Sequence, residues 1–318
     1  MKTVAITGAG GYIGQRLIAH LEKTEGCSRI LATDQRFPAI RSTKVHLQKK
    51  DIRDTSIVEL WRDQAVDTLV HLAFVVDPMH DERAMYDINV NGTLNVLRIC
   101  EELRVPHVIV ASSGTAYGAW PDNPVPLRED HPIRVFPPTM SYAHHKGLNE
   151  THFADFQKRH PEVVLNVVRP SIVYGPNVDN YLSRFLSALP VAPLIDGNDP
   201  PLQLVHEDDV ARLFTLLIEK RVPGAFNVAG AGTMRLSELA AMVGKKTVKV
   251  PRRVMVPLAG LLWRLHLVVE APPGLVDFMA YPWVLDLTRA RDLLGFEPEY
   301  STAQTARIMF ETHGYKLA

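Results

Sequence analysis

The sequence predicts an α/β fold, in which a doubly wound parallel sheet carries helices on both faces and a small discontinuous C-terminal lobe is attached. Three observations support this prediction. A glycine-rich turn joins an apolar strand to a helix near the start of the chain, apolar runs then alternate with helical patterns, and the pattern becomes irregular after about residue 170. Alternating strands and helices are typical of a parallel sheet that is covered on both faces.

Each predicted element of the first half is a short periodic run bounded by turn residues. The predicted strands are Lys2–Thr7, Arg29–Thr33, Val45–Gln48, Thr68–His71, His107–Ala111 and Val163–Val168, and the predicted helices are Gly11–Lys23, Ser56–Arg62, Glu82–Leu103 and Ser141–Arg159. We therefore assign residues 1–170 to a nucleotide-binding domain, whose sheet is completed by about residues 203–228. Residues 171–202 and 229–318 are assigned to a substrate-binding lobe.

The overall composition excludes several classes of partner. Lys plus Arg and Asp plus Glu each number 35, so the charge balance indicates neither a nucleic acid nor an anionic membrane as a partner. Cys27 and Cys100 lack the spacing of a metal or redox site, which predicts reduced thiols in a cytoplasmic protein. The chain opens directly into its first predicted strand, so we expect no signal peptide.

The most apolar stretch of the chain is Val254 to Glu270. It contains Arg264 and His266 and is too short to span a bilayer, so no membrane span is expected. We expect a helix that packs into the core here. A helix at a membrane surface or at a dimer interface is the alternative.

The first chemical motif follows the first predicted strand. Gly8, Gly11 and Gly14 fall at the turn, with Tyr12 and Ile13 before the last of them. Without a Cβ atom, such glycines let the backbone turn tightly, approach a pyrophosphate and pack the helix on the strand, while the helix N-terminus offers N–H groups to the phosphates. The motif predicts a dinucleotide-binding loop.

An acidic residue at the end of the second strand predicts which dinucleotide binds. Asp34 lies twenty positions after Gly14, where a carboxylate accepts hydrogen bonds from the adenosine ribose and repels a 2′-phosphate. This favours NAD over NADP, although a guanidinium at Arg36 would favour the phosphate. Asp51 and Ile52, just after the third strand, are predicted to lie at the adenine edge.

The second chemical motif can move a proton beside the cofactor. Tyr142 and Lys146 are four residues apart on a predicted helix, so both point to one face. A phenol normally loses its proton near pH 10, and an ammonium one turn away stabilises the phenolate. The same ammonium can bind the nicotinamide ribose. Ser112 and Ser113, at the carboxyl end of a strand, can supply a third hydroxyl.

Two histidine-containing segments are interpreted as structural, and no metal site is expected. The run His206–Asp209 precedes an apolar helix, so Asp208 or Asp209 is expected to cap that helix. His144 and His145 lie between Tyr142 and Lys146, but adjacent helical residues face different ways, and we expect neither to be catalytic.

Together these motifs resemble the extended short-chain dehydrogenase/reductase family, and within it the NAD-dependent epimerase/dehydratase branch. Besides the motifs above, the resemblance rests on His71–Ala73, Asn89–Thr93, Tyr117-Gly118, Arg169-Pro170, Tyr174–Pro176, Val205-His206, Asp209–Ala211 and Leu294–Phe296. It implies a Rossmann fold with Tyr142 as acid/base, Lys146 as its partner and Ser113 as the substrate-orienting hydroxyl. It also implies a homodimer through Glu82–Leu103 and Ser141–Arg159, and cofactor contacts from Leu72, Ala73, Asn89 and Arg169.

The departures from the family pattern concern the substrate. Gly114 and Thr115 replace the Asp-Glu pair of the dehydratases, which argues against water elimination. Leu202 and Leu204 replace an Arg and a Tyr that grip the nucleotide in nucleotide-sugar epimerases, and leucine cannot bind a diphosphate. Phe74 lies in the segment where these relatives carry a Lys, and Asn177, Leu182 and Phe185 are expected near the same pocket.

Three functions remain open at this point. A sugar-type epimerase is favoured by the frequency of that reaction in the family, including 4-epimerisation of a nucleotide sugar. A dehydrogenase or reductase of a less charged hydroxy/keto substrate, such as a sterol, lipid or polyketide-like alcohol, is favoured by the apolar replacements. A non-catalytic NAD-sensing regulator is disfavoured, because such proteins lack the Tyr142/Lys146 pair.

Overall fold

The computed structural model describes residues 2–37, 42–178, 191–268 and 271–317. In chain order its strands are β1 (Lys2–Thr7), β2 (Cys27–Asp34), β3 (Val45–Lys49), β4 (Thr68–His71), β5 (His107–Ala111), β6 (Val164–Pro170), β7 (Ile172–Tyr174), β8 (Val191–Ile195), β9 (Pro201–Leu202), β10 (Leu204–His206), β11 (Gly224–Val228), β12 (Met234–Arg235) and β13 (Lys246–Val250). Its α-helices are α1 (Tyr12–Lys23), α2 (Ile57–Trp61), α3 (Glu82–Tyr86), α4 (Gly92–Leu103), α5 (Ser141–Arg159), α6 (Glu207–Lys220), α7 (Leu236–Ala241), α8 (Arg252–Arg264), α9 (Leu275–Ala280), α10 (Thr288–Leu294) and α11 (Thr302–Thr312).

Seven strands form one parallel sheet in the order β11-β6-β5-β4-β1-β2-β3. The order reverses between β1 and β4, which is the switch point where such sheets bind ligands outside the carboxyl ends of their strands. The fold class is therefore confirmed. It places the glycine loop after β1 next to the segment that follows β4.

The sheet is covered on both faces by separate apolar layers. Val4 and Ile6 of β1 pack with α1 and α6 on one face, whereas Ala5 between them packs with α2, α4 and α5 on the other. Successive side chains of a strand point to opposite faces, so an uninterrupted apolar strand serves both layers. The sheet, held from both sides, fixes the positions of the strand ends that carry the site.

The helix predicted over Glu82–Leu103 is not continuous, which corrects the sequence interpretation. A π-helical segment, Asp87–Asn91, separates α3 from α4. Within it the buried Asn89 side chain accepts from the Val75 N–H at 2.7 Å and donates to the Val75 carbonyl at 3.0 Å. The widened turn occurs where the Asn89 side chain binds the loop that follows β4. Helical periodicity in the sequence does not reveal this arrangement.

A second correction concerns the sheet at residues 203–228. Strand β11 joins the main sheet beside β6, but β10 pairs in parallel with β7 in a separate two-stranded sheet. Two further pairs, β9 with β12 and β8 with β13, lie in the C-terminal part. Because β11 occupies the edge next to β6, β10 has no place in the main sheet. The division of the chain into two lobes stays a prediction.

The apolar stretch that begins at Val254 packs on the core along one side only. It forms most of α8, and none of the residues of that helix is buried. The prediction of a core-packing helix therefore holds for the side of α8 with Met255, Val256 and Ala259 and fails for its exposed side. Val269 and Glu270 lie outside the described residues. None of the helices described for this chain combines the length and apolar character that crossing a membrane requires.

Candidate active site

A cavity of about 240 Å³ lies at the carboxyl ends of β1, β4 and β5. The glycine loop forms one part of its wall through Gly8, Gly11, Tyr12, Ile13 and Gly14, which are five of the predicted cofactor residues. The three predicted catalytic side chains, Ser113, Tyr142 and Lys146, line it as well. The structure thus brings the two chemical motifs of the sequence to one cavity.

The glycine loop has the shape that a dinucleotide requires. Gly8 has φ +72°, and a Cβ atom there would lie 2.4 Å from the Ala73 nitrogen. A Cβ atom at Gly14 would lie 2.4 Å from the Gly8 carbonyl oxygen. Helix α1 begins directly after Gly11, which provides no side-chain cap. Its first turn therefore presents N–H groups to the cavity, and the loop fits a pyrophosphate.

Asp34 ends β2 and is held close to the glycine loop. Its Oδ2 accepts from the Gly10 N–H at 2.9 Å, and its Oδ1 accepts from the Gln35 N–H at 2.6 Å. These bonds orient the carboxylate at the carboxyl end of the strand. The arrangement suits a carboxylate that selects a ribose, and its use for cofactor selection remains a prediction.

Asp51 and Ile52 lie away from the cavity wall. Asp51 forms an ion pair with Arg53 at 2.7 Å, and the hydrogen bond with that guanidinium lowers the pKa of the carboxyl. Ile52 is 5% exposed and packs beneath Gly92, where a Cβ atom would lie 2.6 Å from its Cδ1. The structure gives both residues packing partners, and contact with an adenine stays a prediction.

Tyr142 and Ser113 are the groups that can exchange a proton with a ligand. Burial raises the pKa of the Tyr142 phenol, while its hydrogen bond with Ser113 lowers it. Thr115 donates to the Ser113 oxygen from its hydroxyl at 3.0 Å and from its N–H at 3.1 Å, which fixes that hydroxyl. The pair is therefore preorganised at the cavity wall.

Lys146 lies one turn along α5 from Tyr142 and is 4% exposed. Its Nζ donates to the Ala111 carbonyl at 2.7 Å and lies 3.6 Å from the centre of the Phe74 ring. Burial lowers the pKa of Lys146 to about 7, although Glu150 acts in the opposite direction. The lysine changes charge near neutral pH, where it can influence the phenol of Tyr142, whose ring centre is 5.8 Å away.

Arg169 lies outside the cavity wall, and its assignment to the cofactor stays a prediction. Its guanidinium forms a buried bidentate pair with Glu150, with N–O distances of 2.8 and 2.9 Å. It also donates to the Tyr117 hydroxyl at 2.7 Å, and Ser112 donates to Glu150 at 2.6 Å. Ser112 lines the cavity, whereas Arg169, Glu150 and Tyr117 lie outside its wall. The family resemblance assigns the Arg169 position to the cofactor. In this structure the side chain at that position joins β6 to α5.

Asp34 and four other assigned residues also lie outside the cavity wall. Asn89 is fully buried against the Val75 backbone, and Asn177 donates to the Glu207 carboxylate. Gly114 lies against Leu285, and Ala73 packs over Gly8. These contacts give Asn89, Asn177, Gly114 and Ala73 partners within the protein, and the ligand roles assigned to them stay predictions. Leu182 and Phe185, also expected near the pocket, lie outside the described residues.

The wall of the cavity is mostly apolar. Leu72, Phe74, Thr115, Leu202 and Leu204 line it, as the sequence led us to expect. Val76, next to Phe74 in the segment where relatives carry a Lys, was also expected to be apolar and lines the cavity. Apolar side chains that sequence reasoning missed include Met140, Ile172, Val173, Leu236, Leu239, Leu275, Phe278, Met279 and Trp283. Most come from the irregular C-terminal half, where no motif marks them. Lys146 is the one Lys or Arg in the wall among the residues that the structure describes.

The histidine-containing segments have structural roles. His206 itself caps α6, because its Nδ1 accepts from the Asp208 N–H at 3.2 Å, so the prediction of an aspartate cap is wrong. Asp209 instead accepts from the Glu299 N–H at 2.9 Å. His144 bonds the Phe136 carbonyl and lies outside the cavity wall. Within the described ranges, no group of three His, Cys, Asp or Glu residues could hold a metal ion.

The fold, the glycine loop and the Tyr142/Lys146 pair define a nicotinamide-dependent protein of the extended short-chain dehydrogenase/reductase class. A model of the NAD dependent epimerase/dehydratase family matches residues 4–229. The chain therefore belongs to this family, and its cofactor is NAD. The residues at the glycine loop fit that group, as the contacts above show.

Similar proteins include both nucleotide-sugar enzymes and uncharacterised relatives. A protein of Mycobacterium tuberculosis, described as uncharacterised, is 28% identical over 320 residues, covering 98% of this chain and 84% of that protein. The dTDP-4-dehydro-6-deoxy-D-allose reductase of a Streptomyces species is 26% identical, covering 94% and 92%. The structure of MoeE5 with UDP-glucuronic acid and NAD is 23% identical with a TM-score of 0.73, covering 98% of each chain. This last similarity shows the fold.

Proposed function

We propose that this protein is an NAD-dependent dehydrogenase or reductase of an uncharged secondary alcohol or ketone with a large apolar body. The observation that carries the proposal is the cavity wall, in which the catalytic hydroxyls face an apolar chamber. Burial of a charged group without partners is costly, whereas an apolar body gains free energy by leaving water.

The reaction follows from the three side chains at the wall. NAD supplies the hydride acceptor. Tyr142 removes the proton from the substrate hydroxyl, Ser113 holds the substrate oxygen, and Lys146 stabilises the phenolate when it is charged. In the opposite direction, Tyr142 returns the proton to the ketone oxygen. The surrounding apolar side chains exclude water from these groups.

The binding of UDP distinguishes this proposal from a nucleotide-sugar enzyme. We expect UDP and UDP-glucose to bind undetectably to NAD-loaded protein in calorimetric titration, because Leu202 and Leu204 offer no charged hydrogen bonds to a diphosphate. Arg235 is an available cation, but its guanidinium donates to the Asp199 carbonyl at 2.6 Å. As a matched gain-of-charge variant, Leu202→Arg should strengthen UDP binding. A wild-type dissociation constant of about 1 μM or tighter, roughly −8 kcal/mol, would contradict the proposal.

A nucleotide-sugar epimerase is the second candidate. The names of several similar proteins favour it, since they include UDP-glucose 4-epimerases. An epimerase must keep its cofactor through the cycle, whereas a dehydrogenase exchanges it at every turnover. Stoichiometric NAD in protein purified without added cofactor, measured by absorbance after denaturation, would favour the epimerase. A homodimer and a cytoplasmic location remain predictions from the sequence.

Asp34 is expected to select NAD over NADP. Asp34→Ala should reduce the preference for NAD by about tenfold, or roughly 1.4 kcal/mol, because it removes both the ribose acceptor and the repulsion of a 2′-phosphate. Arg36 can then pair with that phosphate. Fluorescence titration with NADH and NADPH measures the ratio, with exposed Asp63→Ala as the control. A wild type that binds NADPH ten times more tightly than NADH would overturn the interpretation.

A further inference from the structure

Helix α8 presents an apolar stripe to solvent. Val254, Leu258, Leu261 and Leu265, the last directly after the helix, are between 46% and 58% exposed. They follow one another at intervals of four, three and four residues, so they share one side of the helix. The opposite side, with Met255, Val256 and Ala259, packs on the cluster around α9. The stripe therefore points away from the rest of the described protein.

The segment that carries this stripe has an excess of positive charge, of which Arg252 is paired with Asp277 at 2.8 Å. Residues 244–268 contain six Lys or Arg side chains and no Asp or Glu, although the whole chain has a net charge of zero. Arg253 and Arg264 are exposed on α8, and Lys246 and Lys249 are exposed on the preceding strand β13. Exposed leucines beside basic side chains are typical of helices that lie in the interface of a membrane, with anionic headgroups around the bases.

The inner face of α8 is separated from the cavity by a single layer of side chains. Met279 and Tyr281 pack beneath α8 in the cluster with Val256, and the same two residues line the cavity. A surface bound through α8 would therefore lie close to the apolar chamber. This continuity connects the exposed helix with the part of the cavity that receives the substrate.

We propose that α8 and β13 dock this protein on an anionic lipid bilayer, with α8 lying in the interface and the apolar substrate passing between bilayer and cavity. A second copy of the chain is a poorer occupant, because a two-fold interface would place this basic segment against its own copy. The docking is supported by the exposed apolar stripe and by the basic side chains beside it. The passage of substrate rests on the proposed function.

Vesicle cosedimentation of the full chain tests the docking. We expect binding to phosphatidylcholine vesicles that contain phosphatidylglycerol, and weaker binding to phosphatidylcholine alone or at high salt. Leu258→Glu with Leu261→Glu should lower the partition coefficient by about tenfold or more, because it places charge in the apolar interface. Arg253→Glu with Arg264→Glu should abolish the preference for anionic vesicles.

The matched control replaces two leucines of similar exposure elsewhere on the surface. Leu47 and Leu293 are each 46% exposed, and Leu47→Glu with Leu293→Glu should leave the partition coefficient within about a factor of two. Equal loss in this control would overturn the proposal, as would wild-type protein that does not sediment with either vesicle. A dimer that the Leu258/Leu261 variant dissociates, seen by light scattering without vesicles, would assign the stripe to a second copy instead.

The vesicle experiment needs neither cofactor nor substrate, so its outcome is independent of the catalytic proposal. Tight UDP binding together with vesicle binding would overturn the apolar-substrate function and leave the docking in place. Absence of vesicle binding by a protein whose cavity is apolar would overturn the docking proposal and leave the proposed function unaffected. Far-ultraviolet circular dichroism of each variant establishes that the fold is retained.

Discussion

Replacing Tyr142 by Phe is expected to lower kcat by about 10²–10⁴-fold, while the dissociation constant for NADH stays within about a factor of two. The change removes one hydroxyl at the position where the phenol bonds Ser113, and it leaves the ring that packs edge-on against Phe74 at 5.5 Å. The proton acceptor is lost, but the glycine loop and the cavity shape are not.

The measurement uses the secondary alcohol that turns over fastest in a panel of sterol-like and long-chain alcohols, followed by NADH absorbance. Tyr281→Phe is the matched control, because Tyr281 lines the same cavity and lies in the apolar cluster under α8. Its kcat should stay within about tenfold of the wild-type value, because removal of a positioned acid/base group would lower kcat by at least about 10²-fold. A Tyr142→Phe enzyme with nearly normal kcat would show that another group moves the proton.

Lys146 shows how local chemistry modifies the interpretation of the motif. The four-residue spacing places it on the same face as Tyr142, and the structure agrees. The spacing does not reveal that burial lowers the pKa of Lys146 to about 7, nor that its ammonium lies over the Phe74 ring. Those effects depend on β4 and β5, which are distant in sequence. Local periodicity describes one helix face, whereas the charge state depends on what packs against it.

The predicted strands illustrate what the sequence determines well. The runs predicted as strands in the first half lie within two residues of the observed strands, and for the central strands this is because a strand buried on both faces needs apolar residues throughout. The C-terminal half contributes Leu275, Phe278 and Trp283 to the cavity without any recognisable motif. Their positions follow from the packing of short elements, so neither spacing nor family resemblance could identify them.

Helix α8 shows the converse error. Its composition is that of a core helix, and hydrophobicity alone predicts burial. The stripe of Leu258 and Leu261 is nevertheless exposed, because α8 packs through its other face on α9. The positive charge of the neighbouring residues was visible in the sequence and was the available signal. This local excess of positive charge is not apparent from the net charge of the whole chain. Equal totals of acidic and basic residues do not exclude a local excess.

Arg169→Ala is expected to destabilise the protein by about 3–5 kcal/mol, the largest effect on stability that we predict. Arg169 and Glu150 have side chains that are 7% and 6% exposed, and the two charges are paired through two hydrogen bonds. Removal of the guanidinium leaves a buried carboxylate with the Ser112 hydroxyl as a donor. It also removes the donor to the Tyr117 hydroxyl.

Urea unfolding, followed by circular dichroism and tryptophan fluorescence, measures this difference. Arg62→Ala is the matched control, because Arg62 pairs with Glu59 and Glu102 at the surface, where such pairs contribute about 0–1 kcal/mol. Arg169→Met with Glu150→Leu removes both charges and should recover part of the loss, since no buried charge is then unpaired. A loss below about 1 kcal/mol in Arg169→Ala, equal to that of the control, would show that Arg169 does not hold β6 to α5 and would favour its assignment to the cofactor.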